Sequence, residues 1–149
     1  MSAVVLDAGP LGLATNPRRS PESTACAHWL QALVAKQVRV IVPEIADYEV
    51  RRELIRAGKT PGLARLDALG DSLEYLPITS EAMRKAAALW ARVRRQGRPT
   101  ADDKALDADV ILAAQALTLG EPDVLVATTN VGHLSRLVAE ARWTDIADS

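Results

Sequence analysis

Asp7 directly follows a short apolar segment and precedes a stretch rich in glycine and proline. Residues 4–6 are typical of a strand buried on both faces, and residues 9–12 predict a turn after it. Ligands of open α/β sheets bind beyond the carboxyl ends of the strands, where a carboxylate is costly unless a cation meets it. Asp7 is therefore either part of a cation-binding site or the N-cap of the following turn or helix. This stretch alone leaves both interpretations open.

A second candidate acid lies on a helix predicted over residues 44–56. Ile45, Tyr48 and Ile55 share one face of that helix by their spacing. Glu49 falls one turn after Ile45, on the flank of the same face. We therefore take Glu49 as the acid of this helix that is best placed for a site.

The other acids of this helix have simpler interpretations. Glu44 belongs to the first turn, where the helix dipole favours a negative charge. Asp47 projects nearly opposite the apolar face and is predicted to be solvated. The position of Glu53 is left open.

Two further acids begin a helix predicted over residues 104–119, which is apolar on nearly every face beyond them. Asp107 and Asp109 flank its apolar stripe on opposite sides, so periodicity does not choose between them. One of them, with Asp7 and Glu49, is expected at the same end of the sheet. Carboxylates crowded there would suit Mg²⁺ or Mn²⁺, which can activate water and stabilise a phosphate during phosphodiester hydrolysis.

The densest basic cluster lies on, and just beyond, a helix predicted from Thr79 or Ser80 to about Gln96. Such clusters are usually solvated, but this one is also the best candidate for contacts with a phosphate backbone. Its predicted RNA-binding residues are Arg92, Arg94, Arg95 and Arg98.

Composition indicates a single globular domain over residues 1–149, with a formal net charge of −1 that does not itself announce a nucleic-acid partner. The single cysteine, Cys26, excludes an intramolecular disulfide and a multi-cysteine zinc site. We expect a cytoplasmic protein, since neither a signal peptide nor a membrane span is evident. The predicted order of elements, β-α-β-α-(α)-β-α-α-β-α-β, favours a mostly parallel sheet flanked by helices.

Four segments in this order resemble the motifs of the PIN-domain family, and within it those of the VapC-like toxin ribonucleases. V-V-L-D-A-G-P-L resembles the opening strand, with the first acid at Asp7. V-P-E-I-A-D-Y-E-V-R-R-E-L resembles the second motif, with its acid at Glu49. D-A-D-V-I-L-A-A-Q-A-L resembles the third motif, which selects Asp109 over Asp107. V-A-T-T-N-V-G-H-L resembles the closing motif.

The closing motif matches at Thr128 and Asn130, but His133 stands where many members place a further aspartate. The resemblance implies a three-layer α/β/α sandwich and cleavage of RNA with Mg²⁺ or Mn²⁺. It also implies frequent homodimers and an antitoxin partner. A supporting role for His133 in metal binding or water orientation, and a surface histidine, both remain open.

Other classes fit less well. A haloacid-dehalogenase-like phosphatase would place a second aspartate where Gly9 stands. A dinucleotide-binding domain requires a G-x-G-x-x-G loop, which residues 9–12 do not supply. The remaining alternative is a PIN-like module that binds metal or RNA without turnover.

Overall fold

A single parallel sheet organises the computed structural model, which describes residues 1–96, 103–132, 134–135 and 137–147. The strands are β1 (Ala3–Leu6), β2 (Arg39–Pro43), β3 (Glu74–Leu76), β4 (Val124–Thr128) and β5 (Glu140–Arg142). They lie in the order β3-β2-β1-β4-β5, and every neighbouring pair is parallel.

Helices connect all the strands except β4 and β5, between which the described residues form turns and bends. The helices are α1 (Ala8–Thr15), α2 (Pro21–Ala35), α3 (Glu44–Arg56), α4 (Thr60–Ser72), α5 (Ser80–Arg95) and α6 (Asp103–Leu117), with a 3₁₀ turn at Trp143–Asp145. None of the helices in the described ranges is long and apolar enough to cross a membrane.

The two faces of the sheet carry separate cores. Val4 and Leu6 of β1 point into a cluster with α1, α2 and α4, whereas Val5 points into a cluster with Leu112 of α6. A further cluster joins α5 to the outer side of α6. The architecture is therefore the predicted three-layer α/β/α sandwich, and its sheet is parallel throughout rather than mostly parallel.

β1 occupies the centre of the sheet, where all four of its residues are fully buried. This agrees with its continuous apolar sequence, because a central parallel strand is covered on both faces. Its carboxyl end delivers Asp7 to the edge of the core.

The turn predicted over residues 9–12 is wrong, since α1 begins at Ala8 immediately after Asp7. Pro10 lies in the first turn of this helix, where a missing N–H costs nothing because those groups have no partner within the helix. A β-carbon on Gly9 would clash with the side chain of Thr129, so glycine allows the helix to start close against the end of β4.

The buried face of α3 differs from the predicted one. Tyr48 and Ile55 are exposed, whereas Val50 and Leu54 are buried. The reason is that α3 contacts both α1 and α4, and these neighbours cover the side carrying Val50 and Leu54.

Two acids of α3 also have structural roles that the sequence did not reveal. Asp47, predicted to be solvated, is buried and accepts two hydrogen bonds from the Arg51 guanidinium, at 3.0 and 3.1 Å. Glu44 accepts a hydrogen bond from the backbone N–H of Ile78 at 2.8 Å. Glu44 therefore ties the start of α3 to the segment after β3, whereas Asp47 holds Arg51, which also donates a hydrogen bond to Asp67 of α4 at 2.7 Å.

Gln115 joins α6 to the start of α3. Its side chain is 1% exposed, accepts a hydrogen bond from Ile45 N at 3.2 Å and donates one to Leu76 O at 2.9 Å. The Ile45 N–H belongs to the first helical turn and has no partner within α3. Gln115 therefore fixes α3 relative to α6 and β3.

Replacing Gln115 with Met is expected to lower the free energy of unfolding by about 1–3 kcal/mol, because similar volume is kept while two buried backbone groups lose their partners. Chemical denaturation measures the change. Gln31→Met on the exposed side of α2 is the matched control, with an expected change within about 0.5 kcal/mol. Equal stabilities for the two variants would show that the Gln115 bridge contributes nothing.

Candidate functional site

Asp7 lies at the carboxyl end of β1 and caps α1. Its Oδ1 accepts a hydrogen bond from Ala8 N at 2.7 Å, and its Oδ2 accepts one from the hydroxyl of Thr128 at 3.0 Å. The capping interpretation is therefore correct. The carboxylate can still bind a cation, because each oxygen keeps a further lone pair. Asp7 is held in one orientation by the backbone on one side and by β4 on the other.

Thr128 is the last residue of β4 and is 2% exposed. Besides donating to Asp7, its Oγ1 accepts a hydrogen bond from the backbone N–H of Asn130 at 3.2 Å. The closing motif thus orients the first acid through Thr128. Asn130 contributes its backbone to this turn, and its side chain lies at an exposed position.

Glu49 lies on α3 near two other carboxylates. Burial raises the pKa of the Glu49 carboxyl above its ordinary value, and the negative charges of Asp7 and then Asp109 raise it further, while the Arg52 guanidinium opposes them. The Glu49 carboxylate is therefore repelled both by Asp7, at the end of β1, and by Asp109 of α6. Such mutual repulsion is the electrostatic sign of acids gathered in one place.

The structure distinguishes the two aspartates at the start of α6. Asp109 is half-buried and interacts with Glu49, whereas Asp107 is exposed. Asp107 instead lines a shallow cavity of about 410 Å³ with Met83 and Trp90 of α5. The structure thus brings Asp109 within electrostatic range of Glu49.

The remaining sequence-predicted residues lie in the last turn of α5 or outside the described residues. Arg92, Arg94 and Arg95 are exposed in the last turn of α5. The Arg94 guanidinium lies 5.3 Å from the centroid of the Trp90 ring. His133 and Arg98 lie outside the described residues.

A cleft of about 480 Å³ opens beside Glu49 between α1 and α3. The sequence analysis did not single out its cationic lining, which consists of Arg52, Arg56 and Lys59. The signal was available, because residues 49, 52 and 56 fall on one helical face by their spacing.

The acids supply suitable donors for a metal, although no three acidic, histidine or cysteine side chains among the described residues form a ready-made ligand set. Carboxylate oxygens are the ligands that Mg²⁺ and Mn²⁺ prefer. Burial and the charges of Asp7 and Asp109 raise the pKa of Glu49, and a cation held near Glu49 would relieve the repulsion from the two aspartates. The donor chemistry therefore fits a divalent cation.

Residues 4–137 match the family model of the PIN domain. The chain belongs to the PIN-domain family. This match spans β1, α3, α6 and β4, so the elements carrying all three candidate acids lie within the PIN domain. PIN-domain nucleases generally use divalent metals. A comparison with curated proteins found no significant match.

Solved structures with the same fold include components of three complexes. VapBC2 of Rickettsia felis bound to promoter DNA is 16% identical with a TM-score of 0.73, and the match covers 95% of this chain and 98% of that one. FitAcB of Neisseria gonorrhoeae is 18% identical with a TM-score of 0.68, and DNA-bound VapBC of Salmonella typhimurium is 19% identical with a TM-score of 0.67. Each of these two matches covers 96% of this chain and 99% of the other. At these identities the likeness establishes the PIN fold over nearly the whole of each chain.

The raised pKa of Glu49 predicts how pH affects the metal-free protein. Between the ordinary pKa of glutamate and the raised value, the folded state binds more protons than the unfolded state, so stability falls as pH rises through this window. Glu49→Gln removes the cost of holding a charged carboxylate in this half-buried, acidic place. The variant should therefore melt higher than wild type at pH 7.5 in chelator. That advantage should shrink at pH 4, just below the ordinary pKa of glutamate.

Glu53→Gln is the matched control, since it removes an exposed carboxylate from the same helix. In thermal melts, the difference in midpoint between Glu53→Gln and wild type should not show the decrease at the lower pH that is expected for Glu49→Gln. An advantage of Glu49→Gln that is the same at both pH values would contradict the raised pKa.

Proposed function

We propose that this PIN-domain protein is an Mg²⁺- or Mn²⁺-dependent endoribonuclease that hydrolyses RNA phosphodiester bonds at Asp7, Glu49 and Asp109. The observation that carries the proposal is the electrostatic coupling of Glu49 to both aspartates. Asp7 directly follows β1, Glu49 lies on α3 and Asp109 lies on α6. In this proposal the three acids meet beyond the carboxyl end of β1, the central strand.

In this proposal the three carboxylates hold the cation, and Thr128 keeps Asp7 in position by donating to Oδ2. When bound, a divalent cation would stabilise the phosphate charge and lower the pKa of a coordinated water. The Arg52 guanidinium, close enough to lower the pKa of Glu49, would attract a phosphate toward the acids. Asn130 and His133 are proposed as supporting residues, and Arg92, Arg94, Arg95 and Arg98 as a further RNA-contacting set.

We further propose that the chain is the toxin of a type II toxin–antitoxin pair and acts in the cytoplasm, with an antitoxin protein as its partner and a homodimer as its assembly. The support is the fold shared with chains of VapBC and FitAcB complexes. Co-expression with any small protein encoded by the adjacent reading frame tests the pairing. A stable complex that blocks cleavage is expected, and failure of the two proteins to associate would contradict it.

The second candidate is a PIN-like module that binds metal or RNA without turnover. The specific observation in its favour is the cationic lining of the cleft beside Glu49, which would bind RNA whether or not the acids hold a metal. The missing fourth aspartate, replaced by His133, points the same way. Only catalytic turnover separates the two candidates.

The deciding experiment incubates the purified chain with structured and unstructured RNAs. Cleavage should begin on addition of Mg²⁺ or Mn²⁺ and stop on addition of chelator, and Asp7→Asn prepared identically controls for contaminating nuclease. Metal binding without cleavage of any RNA would favour the second candidate.

A further inference from the structure

The cleft beside Glu49 continues along α3 as a row of cations. Counted from Glu49, Arg52 and Arg56 stand at the i+3 and i+7 positions, so they follow it on the same helical face. Seven residues of helix span about 10.5 Å, or roughly two turns. Lys59 lines the same cleft just beyond the end of α3. The cleft therefore leads from Glu49 past three positive side chains.

The row extends beyond this cleft. An adjoining cavity of about 670 Å³ is lined by Asn16, Pro17, Arg18 and Lys59. Asn16 and Lys59 line both cavities, so the two form a continuous path, which we call the α3 groove. Its cations are Arg52, Arg56, Lys59 and Arg18.

One acid lies among these cations, but it does not remove the positive charge of the α3 groove. Glu53 pairs with Arg56 at 2.8 Å, and both side chains of this pair are largely exposed, at 60% and 73%. Exposed ion pairs contribute little to stability. A phosphate could therefore replace Glu53 as the partner of Arg56 at small cost.

An aromatic ring lies at the edge of the α3 groove. Tyr48 is 55% exposed, and the Arg52 guanidinium lies 5.1 Å from its ring centroid. Proteins that bind single-stranded nucleic acid combine a positive groove with exposed aromatic rings on which bases stack. Tyr48 and Arg52 supply both features within one helical turn of Glu49.

We propose that the α3 groove binds the single-stranded RNA segment next to the bond that is cut. Its cations contact successive phosphates, and Tyr48 stacks on a base. This inference rests on the proposed ribonuclease function and assigns its substrate path. The groove shares its cavity with Glu49, whereas none of Arg92, Arg94 and Arg95 lines that cavity.

The test measures binding of a labelled single-stranded RNA to the full-length chain in Mg²⁺, at several salt concentrations. Asp109→Asn serves as the background so that cleavage does not consume the probe. In this background Arg56→Gln with Lys59→Gln should weaken binding and reduce the slope of log K against log salt by about 1.4, or 0.7 for each lost contact with a single strand. Tyr48→Ala should weaken binding roughly tenfold and leave the slope unchanged.

Arg84→Gln with Lys85→Gln is the matched control, because it removes one exposed arginine and one exposed lysine from α5. It should change neither affinity nor slope. A duplex of the same length should bind more weakly than the single strand. An unchanged slope in the Arg56 and Lys59 variant, a preference for the duplex, or no RNA binding by the background protein would each overturn the proposal.

The same proteins separate this inference from the proposed function. Wild type that cleaves RNA, together with an unaffected Arg56 and Lys59 variant, refutes the α3 groove and retains the ribonuclease. Wild type that never cleaves, together with the predicted loss of slope, retains the groove as an RNA-binding surface and refutes catalysis. If the slope of log K against log salt decreases only in the double variant Arg92→Gln with Arg95→Gln, the RNA lies along α5 instead.

Discussion

Asp7→Asn, Glu49→Gln and Asp109→Asn are each expected to lower the rate of metal-dependent RNA cleavage at least about a hundredfold. Each substitution keeps the shape of the side chain but removes one negative charge from the set that would hold the cation. A bound cation contributes several kcal/mol of transition-state stabilisation, and each 1.4 kcal/mol or so corresponds to a tenfold change in rate. Single-turnover cleavage of a labelled RNA at saturating metal measures the effect.

Asp107→Asn is the matched control, because Asp107 is two residues from Asp109 on the same helix but exposed. It should cleave within about twofold of wild type, as expected for an exposed residue outside the metal site. An Asp109→Asn protein as active as Asp107→Asn would remove α6 from the site. Cleavage that survived all three substitutions would place the chemistry elsewhere.

Asp109→Asn is also expected to melt higher than wild type in chelator at neutral pH. Asp109 repels Glu49 in the folded protein, and the substitution removes that repulsion. Metal should then reverse the order, because a ligand that binds only the folded state stabilises it by about 2.7 kcal/mol at 100 times its dissociation constant. For a domain of this size the wild-type midpoint should rise by roughly 5–11 °C.

The rise on addition of Mg²⁺ or Mn²⁺ should shrink in Asp109→Asn and persist in Asp107→Asn. Thermal melts of the three proteins, with and without metal, require no knowledge of the natural substrate. If Asp109 serves only as a structural charge, the variant will be no more stable than wild type in chelator and its response to metal will be unchanged.

The sequence predicted the features that depend on repeating patterns. The continuous apolar sequence of β1 indicated a strand buried on both faces, and one interpretation of Asp7 was the N-cap that it forms for α1. Such signals are local, since a cap or a buried strand is encoded within a few residues. The acid after β1 was predictable for the same reason.

Features that depend on distant neighbours escaped prediction. The exposed side of α3 carries Tyr48 and Ile55, so periodicity selected the wrong face, and only contacts with α1 and α4 reveal the buried one. Asp47 is buried because Arg51 pairs with it, which no rule about isolated charges anticipates. Periodicity likewise left Asp107 and Asp109 equivalent, and the position of α6 beside Glu49 separates them.

Diffraction from crystals of the full-length protein soaked in Mn²⁺, at a wavelength where manganese scatters anomalously, tests the central claim most directly. We predict one anomalous peak beyond the carboxyl end of β1, with oxygens of Asp7, Glu49 and Asp109 about 2.1 Å away, as hard divalent cations require. Crystals of Asp109→Asn grown identically should show a weaker peak or none. A strong manganese peak away from these carboxylates, or none at saturating metal, would contradict the account.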